Sequence, residues 1–451
     1  MDSYIEKLSS AGLSVPEILL PAKHTDLAKW AVVACDQFTQ NKSYWENLKY
    51  EIGDAPSTLN MILPEAYLED GGIPERIAEI HQTMRRYLQR GTNNVLTLPY
   101  NAGIYVERIT GNGTRRGLVV ALDLECYDWK PDAKTIVRSS EGTIPERLPP
   151  RMEIRRGAPL ELPHVILLFN DEEDILFTLT GKLLKGAQPI YNCGLIAGGG
   201  VVRGRLVCRK TDWNLIAGYF AHAERYAKTE FGGDNAFLFV VGDGNHSLAA
   251  AKAVWEEYKA AHGNKTETMR HPLRWALVEI ENVHDESLIF EPIHRLLLNT
   301  PLDLLLSKLK ELPGFHCTEI ENAGKLAALV AGTVKDGNRY GIVQGRQALL
   351  IETGVTAIAT VHLDPLIDAA VKEASNNGKP AQIDYVHESA ALIETAAKRA
   401  SEGAIGILLP PFQRGRLFST IAENGPLPRK SFSMGEPCEK RYYIEARRLF
   451  D

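Results

Sequence analysis

The 451-residue chain has few cysteines, no surplus of basic charge and no long apolar run, and each shortage removes a class of protein. Its six cysteines, Cys35, Cys126, Cys193, Cys208, Cys317 and Cys438, contain no C-x-x-C pair. That argues against a zinc ribbon and a thioredoxin-type motif. Structural disulfides are not expected in a chain this large and this poor in cysteine. No uninterrupted apolar run approaches the ~20 residues of a membrane span. Met1 to Pro21 carries Asp2, Glu6 and Lys7 before any apolar stretch, which is not the basic-then-apolar order of a secretory leader. The expectation is a cytoplasmic protein with no membrane partner. A net charge of −6 and a pI near 6.1 supply no basic footprint for nucleic acid. The dinucleotide fingerprint G-x-G-x-x-G, the Walker A loop and the G-x-S-x-G elbow are all missing, and no internal repeat is seen.

What is present is an ordinary globular composition, 44% hydrophobic and 24% charged, long enough for two or three domains. Apolar periodicity predicts helices over Pro74–Arg90, stopped by Gly91, and over Asp212–Thr229 and Asn245–His262. Buried strands are predicted at Leu27–Ala34, His164–Phe169, Ala236–Val241 and Leu273–Ile280. Strands at Ala102–Arg108 and Gly117–Leu124 flank the turn Gly111-Asn112-Gly113. A short helix is expected near Arg147–Arg156. Strands alternating with helices indicate an α/β or mixed α+β class, with mixed sheets and flanking helices. The expected division is residues 1–130, 131–300 and 301–451.

One loop stands out for its chemistry. A buried strand, Phe237 to Val241, runs through Gly242-Asp243-Gly244-Asn245-His246-Ser247 into an alanine-rich helix. The first amides of a helix have no internal acceptor, and the helix dipole adds partial positive charge there. Phosphate fits such a place. Two readings stand side by side. Either the loop grips an anion, with Asp243 holding a metal ion or accepting a proton, or the glycines only make the turn and Asn245 only caps the helix.

Other residues offer weaker signals. Glu141, in Ser139-Ser140-Glu141-Gly142-Thr143, sits on a polar loop and is either a general base or a solvated loop residue. Arg151, Arg155 and Arg156 form a basic cluster on the short helix, for phosphate or for solvent. Asp36 ends a predicted strand, a common place for functional carboxylates in α/β proteins. His294-Arg295 and Pro428-Arg429-Lys430-Ser431 complete the candidates.

In order along the chain stand Asp36, Ser140 to Thr143, Arg151, Gly242 to Ser247, Pro292-Ile293-His294-Arg295, Leu408-Leu409-Pro410-Pro411 and Pro428 to Ser431. This series resembles the bacterial and archaeal family named domain of unknown function 1015, over nearly the whole chain. That family usually reads D-G-H-H-R at the central loop and H-E-x-T at the earlier one. Here Asn245 and Ser247 replace the first His and the Arg, and Ser140 replaces the earlier His. The D-G-x-H loop also resembles that of ParB/sulfiredoxin-like free-serine kinases, which places the nucleotide-binding region in residues 131–300.

The resemblance implies phosphoryl transfer from ATP or ADP, with Mg, to a small hydroxylated metabolite. In that expectation Glu141, Asp243 and His246 are catalytic, and Asp243 also takes the metal. Gly242, Gly244, Asn245, Ser247, Arg151 and Lys430 hold the nucleotide. Asp36, Thr143, His294 and Arg295 meet the substrate. The alternative is a non-catalytic nucleotide- or anion-binding regulatory module. The expected partner is a small molecule rather than nucleic acid, and a homo-oligomer is left open.

Overall fold

A computed structural model of the protein describes residues 3–90, 94–97, 99–232, 236–332, 334–377 and 380–450. The chain divides into two compact units, Met1–Leu288 with Gly435–Asp451, and Ile289–Met434. This differs from the expected breaks after residues 130 and 300. No break falls at 130 because strands on either side of it pair: Trp275 to Glu281 lie antiparallel to Asp123 to Gly117.

The first unit is built on a mixed sheet, formed from β1 (Leu13–Ser14), β2 (Gly103–Thr110), β3 (Gly113–Asp123), β4 (Val137–Ser139), β5 (Val165–Phe169), β6 (Tyr191–Gly194), β7 (Val201–Val207), β8 (Phe239–Asp243) and β9 (Trp275–Asn282). The spatial order is β4-β8-β5-β9-β3-β2-β7-β6, with β1 beside β3. β4 and β8 run parallel, with Ser139 level with Val241. β5 runs antiparallel to β8, with a register shift between Val241 and Asp243. The C-terminal ends of β4 and β8 and the N-terminal end of β5 therefore share one edge of the sheet.

The helices of this unit include α1 (Ile73–Leu88), α2 (Leu148–Arg155), α3 (Lys210–Phe231) and α4 (Asn245–His262). α4 matches its predicted span, because Gly244 (φ 79°) and Gly263 (φ 73°) stand at its two ends in backbone conformations that side chains resist. Its Leu248, Ala251, Val254 and Trp255 enter the core, each large one worth roughly 1.5–3 kcal/mol of burial. In α1 the buried positions are Ile80, Met84 and Tyr87, one face of the helix. Gly91, read as its stop, lies outside the described residues.

The predicted strand at Leu27–Ala34 is not one. Asp26 accepts a hydrogen bond from the Ala28 amide and starts a helical turn over Leu27–Trp30. Only Val32 to Ala34 is extended, and it pairs with the end of the chain: Ala34 donates to the Lys440 carbonyl at 2.8 Å, and Tyr442 to that of Val32 at 3.0 Å. Tyr443 in turn donates to Pro163 O at 3.0 Å. The C-terminal segment is thus stitched between Val32–Ala34 and the entry to β5.

The second unit has a six-stranded sheet of β10 (His294–Leu298), β11 (His316–Glu319), β12 (Asn338–Gln344), β13 (Gln347–Thr353), β14 (Gln382–Val386) and β15 (Ile405–Leu408). Their order is β11-β13-β12-β15-β10-β14. Helices cover both faces, as strand alternation requires: Leu297, Ile342 and Ile407 pack with Leu305 and Leu363, whereas Leu296, Val343 and Leu408 pack with Leu326 and Leu392. Among the described residues, no helix is long and apolar enough to cross a membrane.

Candidate functional site

Parallel neighbours β4 and β8 deliver two loops to the same sheet edge, where ligands of open α/β sheets commonly bind. Residues 140–144 leave β4, and residues 244–247 leave β8. Two hydrogen bonds join them: Asn245 Nδ2 donates to Ser140 Oγ at 3.1 Å, and the Ile144 amide donates to His246 Nε2 at 3.3 Å. Glu141 and Thr143 lie on the segment so held, half-buried. The earlier loop and the central loop, joined by bonds that span 105 and 102 residues of chain, are therefore one rim.

The loop geometry follows from its residue types. A Cβ on Gly242 would sit 2.7 Å from Leu168 Cγ, and one on Gly244 would sit 3.0 Å from Val165 Cγ2. Both glycines are demanded by close packing on β5, and Gly244 also by its positive φ. Asp243 folds back, its Oδ1 accepting from the Gly244 amide at 2.9 Å, while Oδ2 stands 3.8 Å from Lys440 Nζ. Gly244 is the N-cap of α4, and no side chain caps the helix.

His164 enters from the start of β5. It is 5% exposed, its Nε2 lies 2.8 Å from Ser247 Oγ, and its ring meets that of Tyr442 edge-on at 5.1 Å. Asp36 belongs to the same group of charges. Burial would raise its carboxyl, but His164, a hydrogen bond from Gln37, Lys440 and Arg151 outweigh that and hold it below the usual carboxylate range. Among the described residues, three buried polar atoms at the rim have no hydrogen-bond partner: Thr143 Oγ1, His164 Nδ1 and Asn245 Oδ1. Native proteins leave few such atoms, and each calls for an explanation. Beside the helix start lies a cavity of about 130 Å3, lined by Cys35, Arg151, His164, Ser247 and Tyr442 with apolar neighbours.

Several other candidates are tied to partners of their own. Arg151 lines the cavity, but its guanidinium is paired with Glu65 and also donates to Arg147 O at 2.6 Å. Arg155 pairs with Glu161 and Arg156 with Glu257, each at 2.7 Å. The basic cluster is thus a set of ion pairs rather than an open phosphate clamp. Lys430, His294 and Arg295 belong to the second unit. There Lys430 Nζ lies 4.2 Å from the centre of the Tyr385 ring. His294 Nδ1 accepts from the Leu409 amide at 3.0 Å, and Arg295 pairs with Asp364 at 2.7 Å. Pro292, Pro410, Pro411 and Ser431 line one small cavity of that unit, about 20 Å3, room for roughly one water.

Sequence reasoning missed His164, Lys440 and Tyr442. His164 read only as the first residue of a strand, and the C-terminal segment carried no periodic signal. Among the described residues, no cluster of three or more His, Cys, Asp or Glu side chains is placed to hold a metal ion.

A family profile described as "Protein of unknown function (DUF1015)" matches residues 19–369. No curated protein matches the chain. Among solved structures, a free serine kinase in complex with AMP is similar over 71% of this chain and 88% of that one, at 12% identity and a TM-score of 0.35. A conserved hypothetical protein from Pyrococcus furiosus is similar over 74% and 97%, at 11% identity and a TM-score of 0.33. SbnI from Staphylococcus aureus, with a C-terminal truncation, is similar over 70% and 82%, at 8% identity and 0.32. Likeness at this level says nothing about chemistry.

Proposed function

We propose that this chain, which belongs to the DUF1015 family of proteins of unknown function, transfers a phosphoryl group from ATP or ADP to a small hydroxylated metabolite, with free serine the first acceptor to try. The observation that carries the reading is the rim itself. The Asn245–Ser140 and Ile144–His246 hydrogen bonds hold Glu141 and Thr143 against the uncapped start of α4.

In this reading the first-turn amides of α4 and His246 hold the nucleotide's phosphates, as helix N-termini do. The partnerless atoms fit such a ligand: Thr143 Oγ1 and a protonated His164 Nδ1 donate to phosphate oxygens, and Asn245 Oδ1 accepts from a hydroxyl. Asp243 would hold Mg²⁺, which is usually bound by one or two carboxylates together with substrate phosphates and would offset charge on the transferred group. Lys440, 3.8 Å from Asp243, offsets charge on the transferred group. Glu141 accepts the proton of the acceptor hydroxyl as its oxygen takes the phosphoryl group. Such catalysis is mainly positioning and charge stabilisation.

The test is direct. Incubate the chain with Mg-ATP or Mg-ADP and a panel of hydroxyl metabolites, and follow phosphorus resonances for a new phosphate ester. A product supports the reading, and absence of nucleotide binding by calorimetry overturns it. A second reading, a non-catalytic nucleotide- or anion-binding module, is favoured by Ser247, whose hydroxyl is bonded to His164 where the resembling family carries an Arg. Binding without turnover selects it.

A further inference from the structure

We propose that Ser247 and His164 form a nucleophile–base pair that cleaves carboxylic esters carrying a short apolar acyl group. The activity is separate from phosphoryl transfer and does not rest on it. Its first element is the 2.8 Å contact between Ser247 Oγ and His164 Nε2, within the reach a base needs to take a hydroxyl proton. The pair acts in the tautomer that carries its proton on Nδ1, which has no competing partner, so that Nε2 accepts from the serine.

The rest of an acyl-transfer site stands around this pair. The first-turn amides of α4, uncapped by any side chain, are oriented donors for the oxyanion that forms when a carbonyl is attacked. Asp36, whose carboxyl lies below the usual carboxylate range beside His164, Gln37, Lys440 and Arg151, stabilises the imidazolium, once it forms, through its charge rather than by a hydrogen bond. The cavity that Ser247 and His164 line is about 130 Å3, with Met61, Leu63, Met84 and Leu162 in its wall. That is well below the ~300–1,000 Å3 of a drug-sized ligand site, and its apolar wall suits a short acyl chain. Cys35 lines the same cavity, but burial first and Asp36 next push its thiol up to about 11. It stays protonated, and the serine is the nucleophile.

The steps balance without any co-reactant except water. Ser247 Oγ bonds to the ester carbonyl carbon as its proton passes to His164 Nε2. The carbon–oxygen bond to the alcohol breaks, and the alcohol leaves with that proton. Water then adds to the acyl-serine, giving a proton to His164. The carboxylic acid departs as Ser247 regains its hydroxyl.

The experiment uses the full chain with an alkyl fluorophosphonate and, separately, with p-nitrophenyl butyrate. The expected result is one phosphonyl adduct, located on Ser247 by tandem mass spectrometry. Ester turnover should fall about 10²–10⁴-fold in Ser247→Ala and His164→Gln. Ser247→Ala removes a single oxygen from a half-buried position, so its folding, checked by circular dichroism, is not at issue. Absence of an adduct, an adduct elsewhere, or unchanged ester turnover in Ser247→Ala would each overturn the proposal. The nucleotide assay is read independently, so the two activities fail or stand apart.

Discussion

Two histidines of this chain begin alike and end differently. His164 precedes β5 and His294 opens β10, and both are buried, at 5% and 4% exposure. His294 Nδ1 accepts from Leu409, and its neighbour Arg295 is tied to Asp364 and to the Ile293 and Lys430 carbonyls. Burial, then the charges of Arg295 and His387, push it down to about 4, so it is neutral. His164 keeps one ring nitrogen unpartnered beside a second buried orphan on Asn245. Equal burial does not make the two alike: His164 carries a buried nitrogen whose hydrogen-bonding capacity is left over. Among the described residues, the buried side-chain polar atoms without a hydrogen-bond partner lie in the first unit, three of them at its rim.

The sharpest way to break this comparison is at the rim. Glu141→Gln should lower phosphoryl transfer by roughly 10²–10⁴-fold while leaving nucleotide affinity near its starting value. Turnover assays with calorimetry measure both, and an unchanged rate removes Glu141 as the base. In the second unit the expected loss is of stability. Arg295→Ala strands Asp364, a carboxyl that is 14% exposed, and should cost about 3–5 kcal/mol in denaturant unfolding. A variant that kept its stability but lost activity would move Arg295 to the working side of the comparison.

The smallest effect is a pH dependence. His294 binds its proton less readily folded, near 4, than unfolded, near 6.5. Between those values the unfolded state takes up the proton, so stability is full above about 6.5 and falls as pH drops toward 4, by roughly 3 kcal/mol. His294→Asn, whose Oδ1 can still accept from Leu409, should flatten that slope in urea melts at pH 4 to 7. A slope that survives the substitution assigns it to other groups.

Much of the fold was legible locally. The hairpin of β2 and β3 turns at Gly111-Asn112-Gly113 as expected, with Thr110 paired to Gly113. The span of α4 follows from its two flanking glycines. The apolar run at Leu27 misled because it is too short to show a period, and Asp26, a side chain outside the run, decided the helical turn. The domain division misled because the last residues return to the first unit, and nothing in a linear pattern marks a return.

The sequence by itself determined the strand–glycine–helix turn at Gly242 to Ser247, because backbone conformation and periodicity are set by neighbours a few residues away. It also placed Glu141 on a loop and Asp243 where a strand gives way to a helix. Only the tertiary structure decided that the two segments meet, through the parallel pairing of β4 and β8. The same holds for His164, Asp36 and Lys440, gathered at one edge when the Lys440–Tyr443 segment slots between Val32–Ala34 and Pro163. Such contacts join residues hundreds of positions apart, and their energy comes from pairing and burial across the sheet, which no local pattern records.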